Sequence, residues 1–237
     1  MTDDGAGHLG YGPDMAQTSD VAVSEVRVTT TSGAVVVRSE PDLHAVISTG
    51  RSAAVDGSTF TIDARSSKAE VRVPEGTDLV IGTSSGRVEV RGRVGSVAVV
   101  TTSGKVSVED AVSADIRTRS GKVDVDVVTG ECRIIGGSGR VTVDRCGSAH
   151  VTTGSGRITL GGVHGIVHAH CTSGRIDVTM ATAGDVDAET VSGRIAIAMP
   201  AGTNVRVDTP PNATVAVSGE HDCVVTARSG SGRVSVK

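Results

Sequence analysis

A tetrad of serine, glycine, a basic residue and an aliphatic residue recurs along this chain at an almost constant interval. Its glycines are Gly86, Gly104, Gly121, Gly139, Gly156, Gly174 and Gly193, in steps of 18, 17, 18, 17, 18 and 19 residues. The copies continue alike, as in Ser85-Gly86-Arg87-Val88-Glu89-Val90 and Ser155-Gly156-Arg157-Ile158-Thr159-Leu160. Alternating β-branched and polar residues have the period of a strand, and the glycine marks the bend before it. A regular period this short describes architecture, because one such unit cannot bury its apolar face alone and must stack on its neighbours.

Each repeat also holds a second glycine-led strand, such as Gly147-Ser148-Ala149-His150-Val151, Gly165-Ile166-Val167-His168-Ala169 and Gly184-Asp185-Val186-Asp187-Ala188. Two strand-and-turn halves per repeat predict an all-β fold: a parallel β-solenoid, or single-stranded β-helix, with coils of 17–19 residues and irregular β caps at both ends. The composition agrees. The chain has no Trp, one Phe (Phe60) and one Tyr (Tyr11), so its interior must be built from Val, Ile and Ala, which suit thin and similar layers. No helix is expected.

Residues 1–20 lack periodicity and are rich in Gly and Asp, so they read as a disordered N-terminal tail. Residues 21–237 read as one solenoid domain, with an N-terminal cap and degenerate coils over 21–82, regular coils over 83–198, and C-terminal coils and cap over 199–237. Counting backwards from Gly86, the period reaches Lys68, Gly50 and Gly33 in steps of 18, 18 and 17. Counting forwards, the 39 residues from Gly193 to Gly232 would hold two enlarged coils. Val73-Pro74-Glu75-Gly76-Thr77 and Met199-Pro200-Ala201-Gly202-Thr203 interrupt the pattern in matching fashion, and proline removes a ladder donor, so both are expected to be corners at the borders of the stack.

The net charge of −4 lacks the global basic balance of a nucleic-acid-binding domain. Cys132, Cys146, Cys171 and Cys223 show no repeated spacing and no CxxC pair, which predicts reduced thiols, with Cys171 pointing into the core. There is no basic start followed by an apolar run, and no apolar stretch near 18 residues, so the expected location is the cytoplasm, without a transmembrane segment.

The run Val71-Arg72-Val73-Pro74-Glu75-Gly76-Thr77, then Thr83-Ser84-Ser85-Gly86-Arg87-Val88-Glu89-Val90 and the serial Ser-Gly strands, resembles the bacterial β-strand-repeat family of unknown function known as putative adhesins. The resemblance covers residues 21–237 and implies a β-repeat fold of adhesin type. Members of that family often carry Asp after the Ser-Gly pair, where this chain has Arg or Lys.

In register, Arg87, Lys105, Lys122, Arg140, Arg157, Arg175 and Arg194 form one outward column, a basic ridge. Like charges about 4.8 Å apart repel by roughly 0.9 kcal/mol per pair at the dielectric constant of water, before salt screening. Glu89, Asp124 and Asp177, two residues further on, neutralise part of it. The ridge could hold a linear polyanion, or its long stems could simply cover the corner. A second outward column contains Asp115, Arg133, His150, His168 and Asp187, flanked by Arg117, Thr152, His170 and Glu189. His150, His168 and His170 are the candidate metal ligands, set against a solvated ladder of register-pinning pairs.

Three further patterns read as structure. Gly82-Thr83-Ser84-Ser85-Gly86 has the spacing of a nucleophile elbow, but a strand follows where that motif needs a helix. The Ser column, Ser85 to Ser192, is read as hydroxyls closing the turn before each glycine. A row of Thr83, Thr101, Thr118, Thr153 and Thr190, broken by Gly136 and Cys171, is too interrupted for an ice-binding array.

These features predict a non-enzymatic scaffold without cofactor that presents charged ladders to a macromolecular partner, polyanionic in character, as a monomer or an end-to-end oligomer. The alternatives are a self-assembling filament like the bactofilins, and a carbohydrate-active β-helix enzyme. Coils of 17–19 residues leave little room for the long loops that an active-site groove of the latter kind needs.

Overall fold

The computed structural model describes residues 9–11, 17–19, 23–49, 53–208 and 222–237. It is all-β, with no helix among the described residues. The chain forms two compact units, Met1–Ile116 and Arg117–Lys237. The repeating strands pair in parallel in both units, as a solenoid requires.

In the first unit, β1 (Leu9–Tyr11) and β2 (Gln17–Ser19) pair antiparallel, and β2 continues onto β4 (Ile47–Thr49). These two strands fall within the segment expected as a tail, whose remaining residues lie outside the described ones. Pairing onto the edge of β4 places them, and this leaves no trace as periodicity. The first coil, β3 (Glu25–Glu40), lies between two others. On one side it pairs with β6 (Thr59–Arg65) and β7 (Ala69–Pro74), and on the other with the start of β8 (Asp78–Val163). β5 (Ala53–Asp56) returns antiparallel along β6.

This order corrects the simple count along the chain. Gly33 pairs directly with Gly86, while the other face of Gly33 meets the carbonyl of Ser67. Lys68 and Gly86 therefore flank the Gly33 coil, and do not follow each other; Gly50 lies outside the described residues. The Pro-Glu-Gly-Thr corner makes the step possible. Thr77 donates from its backbone N–H (3.3 Å) and its hydroxyl (2.8 Å) to the Pro74 carbonyl, Gly76 takes φ +79°, and the next residue, Asp78, donates its N–H to the Ser24 carbonyl at 2.9 Å. The chain thus passes over the first coil and resumes on its far side.

In the second unit β8 pairs with β9 (Val167–Met180), and β9 with β10 (Val186–Ala198). The mirror of the N-terminal step follows. After the Pro200–Thr203 turn, with Gly202 at φ +84°, β11 (Val205–Asp208) lies outside β12 (Cys223–Ser231), which pairs directly with β10. β13 (Val234–Val236) then pairs with β10 as well. Gly232 therefore rests on Gly193 as its immediate neighbour although 39 residues separate them, the layer of β11 lying beyond that of β12.

The repeat glycines explain why the period is strict. Gly86, Gly104, Gly121, Gly139, Gly156, Gly174, Gly193 and Gly232 have φ between +127° and +155°, a region that favours glycine. Within each unit a Cβ on the next glycine would overlap the carbonyl oxygen of the glycine below: Gly104 over Gly86, Gly139 over Gly121, Gly156 over Gly139, Gly174 over Gly156 and Gly193 over Gly174. In four coils the hydroxyl at this bend is that of a buried threonine, whereas the hydroxyls of Thr153 and Thr190 are buried without a hydrogen-bond partner. Thr30, Thr83, Thr101 and Thr118 donate to the carbonyls of Ser32, Ser85, Ser103 and Ser120 at 3.1–3.4 Å, while Ser85 and Ser155 are exposed.

Inward positions are filled by the expected aliphatics, including Val88, Val90, Val106, Val108, Ile158, Leu160, Ile176, Val178, Ile195 and Ile197, all at most 2% exposed. Each such side chain contributes roughly 1.5–3 kcal/mol when fully buried. The four cysteines are free and buried, Cys171 among them. Burial pushes the Cys132 thiol up to about 12, with Cys146 and Glu131 adding to the effect, and pushes Cys146 up to about 11.

Two predictions follow from this packing. Gly156→Ala places a methyl on a carbonyl at positive φ, a strain of about 1–3 kcal/mol before the overlap is counted, so its thermal midpoint should fall far more than that of Ser155→Ala; equal midpoints would remove the glycine column from the account. At pH 8, Cys132 and Cys146 should react with a thiol reagent only after denaturant is added, because the native thiols stay protonated and covered. Labelling within minutes in the native state would contradict their burial.

Candidate functional site

The outward residues of each coil fall on two strips, one after the glycine bend and one before it. After the bend, Arg157, Arg175 and Arg194 occupy paired positions on successive strands. The glycine contacts extend this column within the second unit to Lys122 and Arg140. They also add a residue that counting along the chain missed: Ile195 pairs with Val234, and its N–H bonds the Arg233 carbonyl at 3.0 Å, so Arg233 stands beside Arg194. The second unit thus carries Lys122, Arg140, Arg157, Arg175, Arg194 and Arg233 in one column. In the first unit Arg87 stands opposite Ala34, and Lys105 follows one coil on.

Carboxylates answer only part of this charge. Lys122 pairs with Asp124 at 2.8 Å and Arg175 with Asp177 at 3.3 Å, each two residues along its own strand. Glu89 does not bond Arg87; Arg91 donates to it from two nitrogens at 2.9 and 2.6 Å. That bond, with the charges of Arg91, Arg87 and Lys105, holds the Glu89 carboxyl below its ordinary value against a smaller desolvation penalty. The residues two along from Arg140, Arg157 and Arg194 are Thr142, Thr159 and Ala196, which carry no charge. All of these pairs are solvent-exposed, so each adds little stability and serves mainly to set local charge.

Before the bend lies the histidine strip. His150 pairs with His168 and His168 with Asp187, while Thr152, His170 and Glu189 form the adjacent column. The imidazoles of His150 and His168 have centroids 5.8 Å apart. His168 Nδ1 lies 3.9 Å from Asp187 Oδ2 and His170 Nδ1 lies 3.6 Å from Glu189 Oε2, longer than hydrogen bonds. Together they border a shallow depression of about 310 Å³. No group of three or more His, Cys, Asp or Glu is arranged to hold a metal ion among the described residues. Arg133 belongs to the second unit and Asp115 to the first.

Ser84 of the elbow-like sequence sits within extended β8, which runs on into Arg87–Val90 with no turn into a helix, so it is not presented as a nucleophile. Among the described residues no helix is long and apolar enough to cross a membrane.

A crystal structure of a "putative cell adhesion protein" from Clostridium sporogenes ATCC 15579 is 11% identical, with a TM-score of 0.30 over 94% of this chain and 98% of that one. No curated protein matches the chain. The family profile described as Toastrack DUF4097 matches residues 14–237. With its strand repeats spanned almost end to end by that match, the chain belongs to the Toastrack DUF4097 family.

Proposed function

We propose that this protein is a non-enzymatic interaction scaffold whose basic column binds a linear polyanion. The observation that carries the reading is the alignment of Lys122, Arg140, Arg157, Arg175, Arg194 and Arg233 in register, with in-strand carboxylates beside only Lys122 and Arg175. Parallel strands hold neighbouring cations about 4.8 Å apart, and mobile counterions gathered by such a row are released when one polymer replaces them. The partner gains affinity without any pocket, and the coil framework supplies the spacing.

Two features weigh against the other readings. The groups with displaced pKa are exposed carboxylate–cation pairs and buried thiols, such as Glu40 with Arg72 and Cys132 with Cys146, and these do not converge on a cleft as an acid–base pair would. Stacking into a filament requires long open edges, whereas the outermost of the described strands are short: three residues in β1 and β13, and four in β5 and β11.

Long-chain polyphosphate is a suitable probe, titrated into the full chain by calorimetry at 50 and 300 mM NaCl. Affinity should fall with salt, and Arg140→Glu with Arg157→Glu should weaken binding at least about tenfold and lower the log–log salt slope by about 1.4, two contacts at roughly 0.7 each. Salt-independent binding, or an unchanged double variant, would overturn the reading.

A further inference from the structure

The column is not uniform, and its richest stretch is one that the order of the sequence conceals. Because β13 pairs with β10, Arg233 joins Arg194 and Arg175 across three neighbouring strands, although 39 residues separate Arg194 from Arg233. Two residues on, the same three strands carry Asp177, Ala196 and Ser235 in register. The acidic position of the repeat is thus filled once and then replaced by a methyl and a hydroxyl. Beyond them Lys237 is drawn in by the backbone: its N–H bonds the Ile197 carbonyl at 2.9 Å, and its own carbonyl accepts from Met199 N–H at 2.8 Å.

The result is a depression of about 350 Å³ bordered by Arg175, Arg194, Arg233, Lys237, Asp177 and Ser235. Four cationic side chains border the depression with one carboxylate side chain, Asp177, which is already engaged by Arg175. Arg194 and Arg233 have no ion pair among the described residues, and the small side chains between the strands leave room above the sheet.

We infer that this depression is a binding subsite for condensed phosphate, a chain of adjoining phosphate groups that spans Arg175, Arg194 and Arg233 with Lys237 at its margin. Guanidinium forks bind phosphate oxygens two at a time, and three forks on neighbouring strands offer a repeated set of such contacts, where lysines would supply only point charges. The Ser235 hydroxyl adds a neutral donor. Nucleic acid is the poorer fit, since Tyr11 and Phe60, the chain's one Tyr and one Phe, both belong to the other unit and the chain has no Trp, so none of the large aromatic rings that serve as base-stacking platforms lies here. The inference rests on the polyanion reading of the column and narrows it to one place and one chemistry.

Calorimetric titration of the full chain with inorganic tripolyphosphate tests it. The expected result is saturable one-to-one binding, weakened at least about tenfold by Arg194→Gln with Arg233→Gln, and changed less than about twofold by Arg119→Gln with Arg145→Gln, exposed arginines of the same unit that lie outside the column. Asp177→Asn removes the competing carboxylate and should tighten binding several-fold, a gain that misfolding cannot produce. Absence of saturable binding, equal losses in both double variants, or no gain in Asp177→Asn would overturn the subsite. If long-chain polyphosphate still binds while tripolyphosphate does not, the column reading stands and the subsite fails. If neither binds, both fail.

Discussion

The structure depends on one steric condition: at each bend a backbone carbonyl of one coil occupies the space that a β-carbon of the next would need. Only glycine satisfies it, and the positive φ at the same residue is a second reason for the same choice. With the bends superposed this closely, the flanking strands have no freedom to slip by one residue, which would exchange inner and outer faces. The aliphatic interior, the threonine hydroxyls on the serine carbonyls and the outward columns all take their register from that contact.

Much of this was legible in the residues themselves. Spacing of the Ser-Gly tetrads exposes the coil length, and the alternation after each glycine separates Ile158, Leu160, Ile176 and Val178 from the outward Arg157, Thr159, Arg175 and Asp177. The pairing of His150 with His168 and Asp187 could be read from the same count. Two things could not. A count along the chain cannot tell which coil lies beside which, so the insertion of Glu25–Glu40 between two later segments, and the closeness of Arg233 to Arg194, were hidden. Nor does a Thr-x-Ser-Gly pattern reveal which hydroxyl is buried. The nearer serine is the natural turn closer on paper, yet at Thr30, Thr83, Thr101 and Thr118 it is the inward threonine that donates to the serine carbonyl.

Each coil offers two outward strips of different chemistry. After the bend, long cations dominate and carboxylates are sparse; before it, His168 and His170 face Asp187 and Glu189 on the next strand at distances too long for hydrogen bonds. Both strips ride on the same glycine contacts, so either can change in composition without disturbing the interior. A repeat of this kind separates what holds the chain together from what it displays.

The crossed order of the end coils also bears on how the chain assembles. In the regular part, neighbouring strands such as His168 and Asp187 are 19 residues apart, whereas Glu25 must meet Asp78 across 53. By loop-closure entropy that longer separation costs about 1 kcal/mol more. A nascent chain therefore cannot complete this coil as it is made: Glu25–Glu40 is synthesised before the segments on either side of it and waits for both before its two edges are paired. The first coil can be enclosed on both sides only once the strand through Arg91 has been made.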